Sequence, residues 1–197
     1  MTVHRIELPI KDRGILEKLR AGDTIYLSGR IVTLRDLGHR RALEMLKRGE
    51  KLPIDLHGLV VFHAGPIVKK VGDHWKIVSI GPTTSARMDI YVYDLIKLSG
   101  VAIVLGKGGM GPNAKRACRE LTAIYAELVG GTASLITKAV RHVEAVYWLD
   151  LGIPEAMWVL HVENLGPAIV VIDSEGRDLH EEVMKRALEV SKKVAET

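Results

Sequence analysis

Cysteine is nearly missing from this chain of 197 residues, which has only Cys118. A lone cysteine cannot close an internal disulfide, and it cannot ligate an iron–sulfur cluster unaided. Aromatic residues are scarce, at 5% with a single Phe. The basic residues therefore lack the aromatic interleaving that marks a single-stranded nucleic-acid groove. No apolar run approaches the ~20 residues of a membrane span. The opening MTVHRIELPI also lacks the apolar core of a secretory signal. Charge imbalance is slight as well, a formal +4, which suits an anionic ligand, an acidic partner, or neither. The expectation is a cytoplasmic protein with no nucleic-acid and no membrane partner.

What is present is aliphatic. Hydrophobic residues make up 47% of the chain, enough for a sizeable core of Val, Ile and Leu. The length fits one domain over residues 1–197, with no repeat, low-complexity tract or linker. Residues 3–8, 24–28, 59–63 and 75–80 are short β-rich runs bounded by Gly, Pro or Asp and predict strands. Thr33 and Asp36 have capping-box spacing and predict a helix with Leu37, Met45 and Leu46 on one face and Gly49 at its stop. Met88, Val92, Leu95 and Ile96 give residues 85–99 a helical period, with Gly100 as terminator. VAIVLG (101–106) predicts a strand buried on both faces. Residues 113–129 predict one helix with Ala114, Ala117, Leu121, Ile124 and Leu128 inward. AIVVID (168–173) predicts another buried strand, and a last helix from about Asp178 carries Leu179, Val183, Ala187 and Val190 on one side. This alternation predicts an α/β domain, helices packed on mixed sheets.

Three segments place a cation or hydroxyl at a helix start or in a Gly-rich turn. In TLRDLGH (33–39), a cap at Thr33 puts Arg35 in the first turn, where free N–H groups and the dipole favour an anion. A solvated surface arginine is the other reading. In GPTTSARM (81–88), Thr83, Thr84 and Ser85 precede a helix, and Arg87 again falls in its first turn. Capping alone needs one hydroxyl. In GKGGMGP (106–112), Gly106 and Gly108 let a ligand approach the backbone and Lys107 adds a point charge, although a plain tight turn is also possible. A Walker A loop is excluded, because five residues separate Gly100 from Gly106 and Gly108 follows the lysine. His39, His63, His142 and His161 show no metal-ligand spacing and read as satisfied structural histidines. Trp148, Met157 and Trp158 read as core or subunit interface. Asp36, Glu155 and Glu163 are acids or bases by type only.

Taken with YWLDLGIPEAMW (147–158), the motifs RDxxH (35–39), GPTTSxRM (81–88) and GKGGM (106–110) resemble those of one family. It is the β subunit, equivalently the C-terminal domain, of class I iron–sulfur fumarases and L-tartrate dehydratases. The resemblance runs from about Asp23 to Val183 and implies a swivelling β/β/α fold. It implies reversible hydration of fumarate to L-malate or dehydration of L-tartrate, with a [4Fe-4S] cluster held by a partner α subunit in an α2β2 hetero-oligomer. It implies no metal ligand in this chain, and Cys118 falls outside the motifs. Arg35, Arg87 and Lys107 match substrate-carboxylate positions, Thr83 matches the catalytic base, and Thr84, Ser85, Gly106, Gly108, Asp36 and His39 support them. Relatives often read TGRD where this chain has TLRD, so Leu34 stands in place of Gly and Arg30 is the alternative to Arg35.

Overall fold

The computed structural model describes residues 2–195. In chain order the described elements are β1 (Val3–Leu8), β2 (Thr24–Thr33), α1 (Asp36–Lys47), β3 (Val60–Phe62), β4 (Ile67–Val71), β5 (His74–Ser79), α2 (Asp89–Ser99), β6 (Ile103–Gly106), α3 (Pro112–Leu121), β7 (Ile124–Glu127), α4 (Ala133–Ala139), β8 (Val140–Tyr147), β9 (Met157–Ile172) and α5 (Leu179–Ala195). The architecture is mixed α/β. The main sheet runs β1-β2-β3-β6-β7-β9-β8, and β4 with β5 forms a separate hairpin. Neighbours from β1 through β7 are parallel, whereas β9 runs antiparallel to β7, β8 and β2. Because β9 pairs with both β7 and β2, the strands β2, β3, β6, β7 and β9 close on one another as a ring.

Alternate residues of each strand serve opposite faces. Val60, Phe62, Ile103, Leu105, Ile124, Ala126, Trp158 and Leu160 belong to one apolar cluster. Val61, Val104, Tyr125 and Met157 belong to a second, built with Ala42 and Leu43 of α1, Val92, Leu95 and Ile96 of α2, and Ala114, Ala117 and Cys118 of α3. Each fully buried aliphatic or Phe side chain is worth ~1.5–3 kcal/mol relative to exposure. That is why central strands three or four residues long suffice.

Several local expectations need correction. Thr33 ends β2 and does not cap α1. Its Oγ1 accepts from Trp158 N at 3.1 Å and donates to Ala156 O at 3.4 Å, a staple between β2 and β9. Arg35 occupies the N-cap position without a side-chain cap bond. Glu155 supplies the cap instead, its Oε2 accepting from Leu37 N at 2.8 Å. The buried face of α1 is Gly38, His39, Ala42 and Leu43, and Leu37 is exposed. A Cβ at Gly38 would stand 3.0 Å from Leu34 and 3.1 Å from Glu155 O, so a close contact turns that face inward.

Residues 113–129 are not one helix. α3 ends at Leu121, Thr122 takes the left-handed conformation (φ 49), and Ile124 pairs with Ile103 as β7. The apolar period ran on because a buried strand follows directly. Residues 168–172 of AIVVID are the last part of a strand of 16 residues, and Asp173 lies just past its end. α5 starts as expected, its first turn capped by Asp178, whose Oδ1 accepts from His180 N at 2.8 Å. Leu179 packs on the core, but Val183 and Val190 are 57% and 60% exposed. The helix leaves the body after one turn, so its apolar side does not face the sheet.

Candidate active site

Since β2, β3, β6 and β7 are mutually parallel neighbours, their carboxyl ends share one edge of the sheet. Ligands of α/β sheets bind at such edges. Arg35, His63 and Lys107 follow the ends of β2, β3 and β6 there. The backbone at Arg35 is extended (φ −121), and Leu34 is fully buried without positive φ. Leu34 in place of glycine therefore leaves this turn undisturbed.

The Thr83 segment is laid across the same edge by backbone bonds. Thr83 N donates to His63 O at 2.7 Å, and Ser85 N donates to Lys107 O at 2.9 Å. Pro82 bridges Ala64, and Thr84 bridges Lys107. The hydroxyls do not cap: the 3-10 turn Ala86–Met88 and α2 both start without a side-chain cap bond. Thr84 is exposed, Thr83 half-buried and Ser85 fully buried. Thr83 Oγ1 accepts from Arg87 Nη2 at 3.5 Å, and Ser85 Oγ lies 2.9 Å from His63 Nδ1. A cation beside a hydroxyl favours its alkoxide, and of the three hydroxyls Thr83 is the one with a guanidinium beside it.

The two arginines arrive with carboxylates of their own. Arg87 is bidentate to Asp36, with Nε–Oδ1 at 3.1 Å and Nη2–Oδ2 at 3.0 Å. That guanidinium holds the Asp36 carboxyl below its ordinary pKa, and the same bond raises Arg87. Arg35 Nε lies 3.2 Å from Glu155 Oε1 as an ion pair too bent for a hydrogen bond, so this buried nitrogen keeps an unused donor. Lys107 is half-buried and forms no salt bridge among the described residues. A Cβ at Gly130 would stand 3.5 Å from Lys107 Cδ, and one at Gly65 would stand 3.0 Å from Arg35 Cδ. Contacts thus link Glu155 to Arg35, and Asp36 through Arg87 to Thr83, whose neighbours Thr84 and Ser85 hold the Lys107 turn. Three cations against two carboxylates leave one positive charge in excess. Arg30 is elsewhere, paired with Glu144 of β8.

The turn glycines have internal reasons. A Cβ at Gly106 would fall 1.9 Å from Ser85 Oγ. Gly108 has φ +69, and its carbonyl accepts from Tyr125 OH at 2.5 Å. A Cβ at Gly111 would fall 2.5 Å from Asp89, which caps α3 by accepting from Gly111 N and Ala114 N, each at 2.9 Å. Glycine for ligand approach is therefore not required at Gly106 or Gly108, and the anion reading of this turn rests on Lys107.

His39 and His63 are not fully satisfied. Both are wholly buried, and neither Nε2 has a partner. Burial pushes His39 down to about 4, with the Arg35 carbonyl and Asp36 opposing, and drives His63 well down. His142 and His161 are stacked and exposed. No group of three or more His, Cys, Asp or Glu among the described residues could hold a metal. Cys118 is 1% exposed and its thiol is pushed up by burial, so it does not fit a cluster ligand. A groove of about 650 Å³ runs along α5 from His180 through Met184 and Leu188, and does not include Arg35, Thr83, Arg87 or Lys107. The sequence offered His63 only as a structural histidine and Glu155 only as an acid or base by type, and neither as part of this site. His63 had one available signal, its place just past a strand end on the ligand edge.

The family described as Fumarase C-terminus matches residues 1–183. The L(+)-tartrate dehydratase subunit beta of Escherichia coli is 47% identical over 171 residues, covering 87% of this chain and 83% of that protein. A Methanocaldococcus jannaschii protein provisionally named as an L(+)-tartrate dehydratase subunit beta is also 47% identical, over 88% of this chain and 90% of its own length. A Geobacillus stearothermophilus protein provisionally named as a class I fumarate hydratase is 37% identical over 93% of this chain, which spans 35% of that longer protein. No helix among the described residues is long and apolar enough to cross a membrane.

Proposed function

The chain belongs to the Fumarase C-terminus family, a group of lyases by the names its members carry, and from that membership we propose that it is the β subunit of a two-subunit iron–sulfur hydro-lyase. On this reading the domain is a swivelling β/β/α unit, and its reaction is reversible hydration of fumarate to L-malate. The 47% identity to tartrate dehydratase β subunits, against 37% to the fumarate hydratase, favours L-tartrate dehydration as a second reading. The observation that carries the class is one sheet edge that gathers Arg35, Lys107 and the Thr83 segment, with Arg87 against Thr83 and Ser85 bonded to the Lys107 carbonyl.

The chemistry of this chain follows from charge. A dicarboxylate loses hydration on binding and needs fixed cations in return. Arg87 uses Nε and Nη2 on Asp36, which fixes the plane of its guanidinium. Lys107 has no salt bridge among the described residues, so its ammonium can bind a carboxylate, and Arg35 adds a second positive charge at the same edge. Thr83 takes or returns the proton on the carbon next to the hydroxylated one, and the cations stabilise the carbanion-like charge that results. A [4Fe-4S] cluster belongs to the α subunit in this assignment, since Cys118 does not fit as its ligand. The assembly is an α2β2 hetero-oligomer, and its place is the cytoplasm. The test is co-expression with a cluster-bearing α subunit under anaerobic conditions, then assay on L-malate and L-tartrate. Turnover of one substrate is expected from the assembled pair and from neither half alone. An assembled, cluster-loaded pair inert toward both would overturn the reading.

A further inference from the structure

Beneath the cation cluster lie the two buried imidazoles. His39 Nδ1 is 2.9 Å from the carbonyl of Arg35, which can only accept, so that nitrogen carries the proton and Nε2 is bare. His63 Nδ1 is 2.9 Å from Ser85 Oγ. The two rings meet edge to face, with centroids 5.0 Å apart at 67°, and Tyr91 stacks on the far side of His39 at 5.9 Å. Each ring therefore uses one nitrogen to hold a different loop of the site.

We infer that His63 is a positioning residue for this site, acting through Ser85, and that its contact with His39 locks the Arg35, Thr83 and Lys107 segments into one arrangement. His63 acts twice on the Thr83 segment. Its carbonyl accepts from Thr83 N, and its ring holds the Ser85 hydroxyl. Ser85 passes the restraint on, because its amide donates to the Lys107 carbonyl. The fit is tight, since Ser85 Oγ occupies the space a side chain at Gly106 would need. On the other flank, His39 binds the carbonyl of the residue that starts α1, so a shift of His63 is felt at Arg35. An apolar residue of similar volume would fill this space and leave the buried Ser85 hydroxyl without its partner. His63 touches no substrate in this scheme. Its effect is the 3.5 Å approach of Arg87 to Thr83 and the tie between Ser85 and the Lys107 carbonyl.

This inference rests on the hydro-lyase reading, so one readout is chosen that does not need turnover. In the full chain, amide exchange at Thr83 and Ser85 is followed for wild type, Ser85→Ala and His63→Asn. Ser85→Ala, which removes one atom and little volume, should raise exchange at both amides about tenfold, the equivalent of one lost hydrogen bond. His63→Asn sets a side-chain amide near the place of Nδ1 and should stay near wild type. In the enzyme assembled with its α subunit, Ser85→Ala should lower kcat about 10- to 100-fold with a smaller change in KM. His63→Asn should recover part of what His63→Leu loses. Unchanged exchange in Ser85→Ala overturns the inference, and so does raised exchange with kcat within twofold of wild type. If the assembled wild type is itself inert, the functional reading has failed, and the exchange result alone still decides the positioning.

Discussion

Acidification is expected to destabilise this protein through His39. Burial holds the His39 imidazole at about 4 in the fold, whereas an unfolded histidine titrates near ~6.5. The unfolded chain therefore binds a proton that the folded chain refuses. Stability is lost as pH falls through ~6.5, and the loss levels off below about 4. At 1.36 kcal/mol per pH unit, that displacement is worth ~3 kcal/mol, a large share of the ~5–15 kcal/mol of a typical domain. His63 moves in the same direction, through burial first and then the charges of His39 and Arg87, and adds to the effect. The groups facing the pair are Arg35, Asp36, Arg87, Ser85 and Tyr91; Asp36 opposes the loss without cancelling it. Carboxylates held low by partners, among them Asp36, Glu144 and Asp150, contribute only as pH falls through their own depressed values, a separate and lower window. Urea unfolding followed by circular dichroism at pH 7, 6, 5 and ~4.5 measures the slope. His39→Asn keeps a donor for the Arg35 carbonyl and removes the titration, so its slope should be shallower. Equal slopes in the two proteins would refute the argument, as would a His39 proton resonance titrating near ~6.5.

In the assembled enzyme, Thr83→Ala should slow turnover by about 10²–10⁴-fold while thermal unfolding stays within about 0.5 kcal/mol, and Thr83→Ser should retain part of the rate. A lowered melting temperature with near-normal turnover would make Thr83 structural instead. Asp36→Asn removes the fixed partner of Arg87 and should raise KM about tenfold through misorientation. Its stability cost should stay within ~1 kcal/mol because the pair is substantially solvated; an unchanged KM would show that Asp36 does not orient Arg87. Gly106→Ala drives a methyl group onto Ser85 Oγ and should cost ~1–3 kcal/mol or more by overpacking, read as a fall in melting temperature and refuted by its absence.

The site was legible where it is local and obscure where it is tertiary. Arg35, Thr83, Arg87 and Lys107 stand in short motifs at turns, and the fold assembles those turns on one edge. Glu155 reaches α1 from 118 residues away, a contact that no period or cap pattern encodes. Strands β3 and β6 were readable because continuous Val, Ile and Leu runs mark strands covered on both faces. β8 carries exposed polar side chains such as His142 and Glu144, and β9 opens on four buried residues and then loses clean alternation at His161, Glu163 and Asn164. The junction of α3 and β7 misled because buried Ala123 and Ile124 continue the helical spacing across a turn at Thr122. The exposed length of α5 shows the opposite failure, an apolar stripe that reads as inward-facing but leaves Val183 and Val190 exposed.

Closure of the ring also sets a timetable for folding. β2 pairs with β9 from Thr24 against Ile169 to Val32 against Val159, so its final seam joins parts of the chain separated by most of its length. Contacts that distant in sequence form late and slow the search. During synthesis, β2 and β7 each wait with an unpaired flank until β9 has emerged, and the edges exposed meanwhile are those that invite aggregation. A chain stopped before residue 157 would carry Arg35, Thr83, Arg87 and Lys107 and lack the strand that closes the ring beneath them.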